Sequence, residues 1–533
     1  MGTNSFDCDY CDVNALNQED AMRNESCPMI IRRRDFLGIA ASLLASSKAL
    51  SIPIANAETK GLILKTLDGQ SVGIDTAALA ELKATLRGEM LTESAPEYDA
   101  VRQIWNAAIN RRPALIVRCA TAGDIAQAIR FAKRHNALLS VRGGGHNHVG
   151  FAVADGGVML DLSPLRDVTV DETRQTARAG GGCTFGAYDA KTHESGLAST
   201  GPIISLVGVG GYTLGGGIGW LHRKLGAGCD ALVSAEVVTA DGEIVTASEK
   251  ADPDLFWAIR GGGGNFGVVS SFEFRLAPVK DVLAGLIFHP LEDLPKVAAF
   301  VRDFNASAPD DVCVWIMMRK APASPVLPKE LHGRPVAVIG VCHAGDGETG
   351  ERVLKPLRQF GRPLIDLVKV RPYPDWQKAL DPAWGNGFHN QWVGHYLPEL
   401  TDAAAATLLE HVSKVPSPFT DVKLAHLEGA FARVGESDTA FGNRNSRYAL
   451  VIQARWKNPE ESAGQLAWTQ AFLDAMKAHS TGKVYVNFVA DEGEARITDA
   501  YNARSLERLR AIKAKYDPGN QFRLNQNIRP AVA

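Results

Sequence analysis

Short apolar runs and one helical segment alternate in the first half of the chain. The runs ALIVRC (114–119), LLSVRGGG (138–145) and GVMLDLSPL (157–165) are typical of buried strands. Between the first two runs, apolar residues recur at helical spacing, and Thr121 and Asp124 form a capping box where that segment begins. This order predicts a β-α-β unit.

The second half of the chain has a different pattern, with sparse glycine from Ala277 to Gly482. Longer apolar runs alternate there with segments of helical spacing, which predicts an α+β substrate domain. The strands are predicted at VCVWIMM (312–318), PVAVIGVCHA (335–344) and RYALVIQARW (447–456), and the helices at TDAAAATLLEHVSKV (401–415) and QLAWTQAFLDAMKAH (465–479). The tail that follows is predicted to end in a helix and a polar loop that pack back on the first domain.

Three glycine blocks interrupt the chain, at VRGGGHNHVG (141–150), GVGGYTLGGGIG (208–219) and RGGGGNFGV (260–268). Glycine lets backbone N–H groups approach a ligand closely, and successive N–H groups form an anion-binding concavity. The first block lies between two predicted strands, which argues against a P-loop or a Rossmann fingerprint, since both need a helix after the loop. Three blocks within about 130 residues predict a long ligand along the backbone, and a dinucleotide has the right length.

The composition is that of a soluble globular protein. The chain has 533 residues, 45% hydrophobic and 22% charged, with a net charge of −3, and this length predicts two or three domains. The near-neutral charge indicates neither nucleic acid nor an anionic membrane surface as a partner. The cysteines after residue 57 form no CxxC pair, so no metal site is predicted from them.

The first 57 residues are predicted to be an extension and an export signal. RRDFL (33–37) precedes a mildly apolar stretch and then ANA (55–57), a small-residue cleavage pattern. The arginine pair resembles the twin-arginine signal, which exports folded proteins across the bacterial inner membrane. A basic patch before an amphipathic helix is the alternative. The signal predicts a partner in the twin-arginine machinery, a periplasmic or secreted location, and no membrane anchor after cleavage.

Four motifs occur in order along the chain: RGGGH (142–146), VGVGG (207–211) with GGGIG (215–219), DLFWAIRGGGGNFG (254–267), and YDPGN (516–520) with NQN (525–527). Together they resemble the vanillyl-alcohol-oxidase-type flavoproteins, and within them the berberine-bridge-enzyme-like FAD oxidases. The likeness covers about residues 95 to 530. It implies an α+β fold, in which a PCMH-type FAD-binding domain of two subdomains joins an α+β substrate domain whose antiparallel sheet is covered by helices.

The resemblance also implies where the domains begin and end. The predicted parts are the extension and signal (1–57), an N-terminal segment (58–94), the FAD-binding domain (95–278), the substrate domain (279–482), and a berberine-bridge-like segment that returns to the FAD domain (483–533).

The implied cofactor is FAD, bonded through a ring nitrogen of His146 to the methyl carbon on C8 of the isoalloxazine. Many relatives add a bond to a cysteine at the position of Ile204, so the attachment here is predicted to be through His146 alone. His148 is predicted to be a surface or supporting residue. The predicted cofactor-binding residues are Arg142, Gly143, Gly144, Gly145, His146, Asn147, Val207, Gly208, Gly210, Gly211, Gly215, Gly216, Gly217, Gly219, Gly267, Val268, Asn487, Asn525 and Asn527.

Val207 stands where relatives that react with oxygen carry a small residue near the flavin C4a. The resemblance therefore implies an oxidase that moves a hydride from a C–H bond next to oxygen or nitrogen, in an alcohol, sugar hemiacetal or amine, to flavin N5. Its small-molecule substrate would be oxidised and O2 reduced to H2O2. The alternatives are a dehydrogenase with another acceptor and a flavin-bearing binding protein with low turnover. A metalloenzyme built on His146 and His148 lacks convincing ligand spacing.

The catalytic base is predicted from two positions. Relatives use a glutamate where this chain has Arg433, in a strand predicted over residues 428–434, or tyrosinates, of which Tyr485 survives in the predicted strand 485–488. Tyr485 is predicted to be the base, with Arg433 lowering its pKa or binding a substrate anion. The substrate face is predicted to hold scattered aromatic and histidine residues, namely Trp315, Trp392, His395, Tyr396 and His426.

Overall fold

The computed structural model of the protein describes residues 61–490 and 493–531. The predicted extension and twin-arginine signal lie outside these described residues. Within them, no helix has both the length and the apolar character needed to cross a membrane. The domain boundaries given above stay predictions.

The predicted β-α-β unit is confirmed. Strand Leu115–Arg118 leads into helix Ala122–Arg134, which begins with both hydrogen bonds of the capping box, and then into strand Leu139–Arg142. Strand Val158–Asp161 lies between these two strands and parallel to both, and Glu89–Leu91 adds an antiparallel edge. The first glycine block runs from one strand to the next without a helix, as its position in the sequence predicts.

A second sheet has five antiparallel strands, and the third glycine block leads into its central strand, Val268–Arg275. A hairpin turns at Asp241 and Gly242, with Gly242 in the left-handed region at φ +75°. The strands lie in the order Ile244–Ser248, Leu232–Val238, Val268–Arg275, Thr176–Gly180 and Val168–Asp171. Two strand pairs stand apart, Leu62–Lys65 with Ser71–Ile74 and Leu197–Ala198 with Ala277–Pro278.

The large sheet of the second half is antiparallel throughout, and the strands predicted at 312–318, 335–344 and 447–456 are present. It has eight strands within the described residues. Seven follow in the order Ile365–Asp366, Asp281–Pro290, Pro335–His343, Val312–Lys320, Asp421–His426, Tyr448–Trp456 and His389–Leu397, and the eighth, Lys369–Pro372, also pairs with Asp281–Pro290.

The two faces of the large sheet have different partners. Side chains alternate between faces along each strand. Val314, Ile316, Val422 and Leu424 pack on the apolar sides of helices, whereas Trp315 belongs to the core shared with the glycine blocks. The covering helices are Leu294–Asn305, Gly347–Gln359, Asp402–Val412 and Ser462–Met476. The sheet therefore presents one face to helices and the other to the first half of the chain.

The C-terminal tail returns to the first half, as the sequence predicts. Helix Ala503–Tyr516 places the Lys513 ammonium 2.8 Å from the Asn265 carbonyl oxygen, and the Ile528 N–H donates to Asn265 Oδ1 at 2.9 Å. The remaining helices are short except for the first, and comprise Thr76–Thr85, Tyr98–Arg102, Phe185–His193, Val209–Leu214, His222–Leu225, Pro253–Ala258, Tyr373–Lys378, Ala430–Arg433 and Glu494–Thr498.

Two predicted strands are wrong. Residues 428–434 form a turn and the helical segment Ala430–Arg433, because Glu428 and Gly429 both have positive φ, at +49° and +62°, and break the extended chain after His426. Residues 485–488 form a tight helical turn that the Phe488 N–H closes on the Tyr485 carbonyl oxygen at 2.8 Å.

Candidate active site

A single continuous cavity lies between the glycine blocks and the inner face of the large sheet. We call its backbone side the glycine wall and its side-chain side the sheet wall. The glycine wall comprises Gly143, Gly144, Gly145, His146, Asn147, Val207, Gly208, Gly210, Gly211, Gly263, Gly264, Gly267, Val268 and Asn525. The sheet wall comprises Trp315, Trp384, Trp392, Lys423, Val451 and Gln453.

The glycine wall has room for a ligand along its backbone. A Cβ on Gly144 would lie 2.4 Å from the Gly208 Cα, so two of the blocks touch through bare backbone. A Cβ on Gly211 would meet no atom within 4 Å, and the nearest atom to one on Gly263 would be 3.6 Å away. These glycines open onto the cavity, which suits a ligand that lies against backbone N–H groups.

His146 stands on the glycine wall with an unused ring nitrogen. Its ring stacks on Trp105, with centroids 4.3 Å apart and planes 18° apart. Its Nε2 is buried and has no hydrogen-bond partner among the described residues. Burial lowers the pKa of His146 to about 4, so its imidazole is neutral at neutral pH. A neutral, positioned imidazole with a free nitrogen is a nucleophile.

His148 is not a surface residue. It is 3% exposed, lines the cavity, and stacks on Trp392 with ring centroids 5.3 Å apart. Burial lowers its pKa to about 3, and neither ring nitrogen has a partner within the described part of the chain. Of the two roles predicted for His148, surface residue or supporting residue, its buried position allows only the supporting role.

Several predicted cofactor residues do not line the cavity. Arg142 donates to the Asp161 carboxylate at 3.0 Å and so holds the strand before the first block. A Cβ on Gly215 would lie 2.1 Å from Asn487 Oδ1, and one on Gly219 would lie 1.7 Å from the Gly201 carbonyl oxygen. These glycines are required by close packing within the protein. The other predicted residues outside the cavity lining are Gly216, Gly217 and Asn527.

Tyr485 and Asn487 line the cavity, as predicted for site residues. The Tyr485 hydroxyl oxygen accepts from the Gly217 N–H at 2.9 Å and from Asn487 Nδ2 at 2.8 Å. Burial raises the pKa of Tyr485 well above its ordinary value, while these two donors act in the opposite direction.

The predicted pairing of Tyr485 with Arg433 is wrong. The Arg433 side chain is 63% exposed and forms an ion pair with Asp310 at 2.6 Å. It lies at the end of a helical segment rather than on a strand, and it does not line the cavity. Arg433 therefore neither lowers the pKa of Tyr485 nor binds a substrate anion in this cavity.

The predicted substrate residues fall into two groups, those that line the cavity and those that do not. Trp392 and Trp315 face the cavity, as predicted, but His395 and Tyr396 do not line it. His395 Nε2 lies 3.2 Å from the Leu473 carbonyl oxygen, because the odd positions of its strand face the helices. His426 is also outside the cavity and lies 2.8 Å from a Glu428 carboxylate oxygen.

Sequence reasoning missed Lys423, Gln453 and Trp384. The Lys423 ammonium donates to Gln453 Oε1 and lies 3.0 Å from an Asp421 carboxylate oxygen and 4.1 Å from the Trp384 ring centroid. Burial lowers the pKa of Lys423 to about 8. The available signal was a polar residue at an inward position of an otherwise apolar strand, in DVKLAH (421–426) and in RYALVIQARW.

Comparisons with known proteins show which family has similar sequences and structures. A family model described as an FAD binding domain matches residues 113–248, and one described as berberine and berberine like matches residues 484–529. The chain is 31% identical over 471 residues to (R)-6-hydroxynicotine oxidase of Paenarthrobacter nicotinovorans, covering 84% of this chain and 97% of that one. It is 30% identical to an uncharacterised FAD-linked oxidoreductase of Bacillus subtilis, covering 84% and 98%.

The chain belongs to the berberine-bridge-enzyme-like FAD-linked oxidoreductases. The solved structure of 6-hydroxy-D-nicotine oxidase from Arthrobacter nicotinovorans superimposes with a TM-score of 0.74 at 29% identity, over 84% of this chain and 98% of that one. The predicted family, the α+β fold with a PCMH-type FAD-binding domain, and an FAD-dependent oxidase are confirmed.

The glycine wall fits FAD. Its open backbone positions suit the pyrophosphate. Asn525 Oδ1 is a buried acceptor with no partner among the described residues, so it is free to accept a hydrogen bond from a hydroxyl or N–H group of the cofactor. Bound along this wall, FAD would supply the acceptor, at its N5, for a hydride from a C–H bond next to oxygen or nitrogen, and the route of the electrons to O2, which would be reduced to H2O2. No group of three or more histidine, cysteine or carboxylate side chains that could hold a metal ion occurs in the described residues.

Proposed function

We propose that this oxidase holds FAD through one covalent bond, at His146. The support is the neutral imidazole on the glycine wall, whose Nε2 is buried and has no partner among the described residues. The position of the second bond found in many relatives is Ile204, which lines the cavity. None of the described cysteines lines it, and all five are buried elsewhere.

The test is to denature the protein in acid and look for flavin fluorescence on the polypeptide in a gel. We expect fluorescence in the wild type and in His148→Ala, the matched control from the same loop, and none in His146→Ala. Fluorescence in His146→Ala, or its loss in His148→Ala, would contradict the proposal.

We propose further that O2 reaches the cofactor past Val207, which lines the cavity on the glycine wall. A larger side chain there narrows the cavity, so Val207→Ile is expected to slow reoxidation by O2 by about 10-fold or more, a change of about 1.4 kcal/mol in the barrier. The anaerobic rate of flavin reduction by substrate serves as the internal control and is expected to stay within about twofold. Equal slowing of both half-reactions would count against this role.

Tyr485 stays the predicted proton acceptor, without help from Arg433. The Gly217 N–H and Asn487 Nδ2 both donate to its oxygen, and such bonds stabilise the ionised form. Because burial raises the pKa of Tyr485, the rate of flavin reduction is expected to increase with pH through the alkaline range. Tyr485→Phe should lower this rate and remove the increase. A wild-type rate in Tyr485→Phe would exclude the role.

We also propose export through the twin-arginine machinery, on the support of the RRDFL segment and the ANA cleavage pattern. In a bacterial host, replacing both arginines of RRDFL with lysine is expected to leave the protein in the cytoplasmic fraction with its precursor length. Equal amounts of processed protein outside the cytoplasm for both forms would contradict this proposal.

A further inference from the structure

The sheet wall carries a buried cluster of charges with an excess of cations. Lys423 and Arg319 both pair with Asp421, each at 3.0 Å, and Asp421 is 1% exposed. Arg455 stacks against Trp384, with its guanidinium carbon 5.2 Å from the ring centroid, and donates to the Ala383 and Gly385 carbonyl oxygens. Within the described residues Asp421 is the only carboxylate that pairs with any of these three cations. We call this group the cationic cluster.

The cationic cluster is not balanced by its own acid. Buried charges are costly unless they are paired, and the Coulomb interaction between them is stronger than in water. Burial is the main cause that lowers the pKa of Lys423 and of Arg455. The proximity of Arg319 contributes to both shifts, and that of Arg455 contributes to the shift of Lys423. The cavity in front of the cluster therefore has a positive potential that an incoming anion would reduce.

Gln453 is the polar side chain that lies between the Lys423 ammonium and the cavity. It is 6% exposed and lines the cavity next to Lys423. Because the Lys423 ammonium has only donors, the oxygen end of the Gln453 amide must point toward it. The Gln453 Nε2 is then the other end of the amide, and within the described residues the one side-chain hydrogen bond of Gln453 is made by its oxygen. Lys423 is thus a positioning residue for a donor on Gln453.

The rest of the sheet wall is aromatic. Trp384 and Trp392 line it, and their indole nitrogens, which are also donors, have no acceptor in the described part of the chain. Flat apolar walls with few polar groups suit an aromatic ligand, and the polar groups fix its orientation. Every one of these unpartnered groups donates, so the complementary group on a ligand is an acceptor.

We propose that the sheet wall binds an aromatic substrate through an ionised oxygen, a carboxylate or a phenolate, which accepts a hydrogen bond from Gln453 Nε2 in the field of the cationic cluster. This deepens the proposed function and rests on it, since it names the substrate class for the same cavity. A protonated amine is disfavoured at this wall by like charge. An uncharged sugar would leave the cluster without a counter-charge.

The experiment is a titration of the flavin-containing protein at neutral pH with ligands of nearly equal shape. The carboxylate series is benzoate, benzamide and benzylammonium, and the phenolate pair is pentafluorophenolate and pentafluorobenzene. Binding is read from the change in flavin absorbance. We expect an ionised ligand to bind about 10-fold or more tightly than its neutral partner, as for a hydrogen bond to a charged group, with benzylammonium the weakest. The two series distinguish a carboxylate site from a phenolate site.

Variants at three positions show which residues determine the anion preference. Gln453→Met and Lys423→Met should lose most of the anion preference while retaining flavin, and Gln453→Leu repeats the first test if Gln453→Met does not fold. Lys457→Met, an exposed lysine just after the same strand as Gln453, should keep the preference.

The inference fails if benzamide or benzylammonium binds as tightly as benzoate and pentafluorobenzene as tightly as its phenolate, or if Lys423→Met and Gln453→Met keep the anion preference. A protein that carries flavin but shows no such preference contradicts only this inference. A protein that carries no flavin contradicts the proposed function instead, and anion binding is then read from tryptophan fluorescence.

Discussion

The glycine wall and the sheet wall face the same cavity, but the glycine wall presents backbone atoms and the sheet wall presents side chains. At Gly211 and Gly263 the cavity meets bare backbone, whereas at Trp392, Lys423 and Gln453 it meets large side chains. Backbone is the same in every sequence, so the glycine wall can hold one cofactor across a family. Side chains differ, so we propose that the sheet wall determines which molecule is oxidised. The difference separates cofactor binding from substrate choice within one cavity.

The largest expected effect tests the glycine wall by filling it. Gly211→Val places a side chain in the open space where a Cβ meets no atom within 4 Å, so we expect the variant to fold but to bind no flavin. Gly464→Val is the matched control, because Gly464 is also helical and open but faces solvent. The ratio of flavin to protein and the melting temperature are the measurements. Normal flavin content in Gly211→Val would show that this wall does not hold the cofactor.

The next effect tests the sheet wall with the cofactor left in place. Trp392→Phe removes part of an aromatic surface and keeps its apolar character, so KM is expected to increase by about 10-fold with flavin content unchanged. Trp468→Phe is the control, since Trp468 packs on the helical side of the large sheet. A loss of flavin in Trp392→Phe would show that the sheet wall also holds the cofactor, and would contradict the division of roles between the two walls.

A smaller effect is expected from pH. The Lys423 ammonium faces Asp421 and Gln453, with Arg319 and Arg455 nearby, and its pKa is lowered to about 8. The cluster is most cationic below about pH 8 and loses one charge above it, so benzoate binding is expected to weaken severalfold from neutral pH to about pH 10. Binding that is flat over this range, or that strengthens, would contradict the role of the ammonium.

The smallest effect lies outside both walls. Hydrogen bonding to His426 and Arg447 lowers the pKa of Glu428 from 4.5 to about 2, so its stabilisation is present above about pH 4.5 and is lost as pH falls toward about 2. Glu428→Gln should lower the melting temperature by about 1–3 °C at neutral pH and by less in acid, because the carboxylate is partly exposed. A changed KM in Glu428→Gln would instead indicate that the pair of His426 and Glu428 contributes to substrate binding.

Most of the fold could be predicted because its strands and helices obey a simple period. The β-α-β unit, the hairpin at Gly242 and the inner strands of the large sheet all follow alternating or helical patterns. The sequence could not exclude a strand over residues 428–434. The strand is absent because Glu428 and Gly429 adopt left-handed backbone, and a glutamate does not signal that conformation in the sequence.

The site residues could be predicted only where a sequence motif has a single structural cause. His146 is found by the first glycine block, and the open Gly211 and Gly263 by the second and third. Gly215 and Gly219 look the same in the sequence, although packing within the protein requires them. Lys423 and Gln453 belong to no motif. Their role depends on a pairing across two strands that are neighbours in the sheet but far apart in the chain.

The most direct test of the central claim is to digest the acid-denatured wild-type protein and identify by mass the peptide that carries flavin. We predict flavin on the peptide that contains His146 and on no other. Flavin on a different peptide would contradict the assignment of His146, and flavin released to the supernatant would show that the glycine wall holds FAD without a covalent bond.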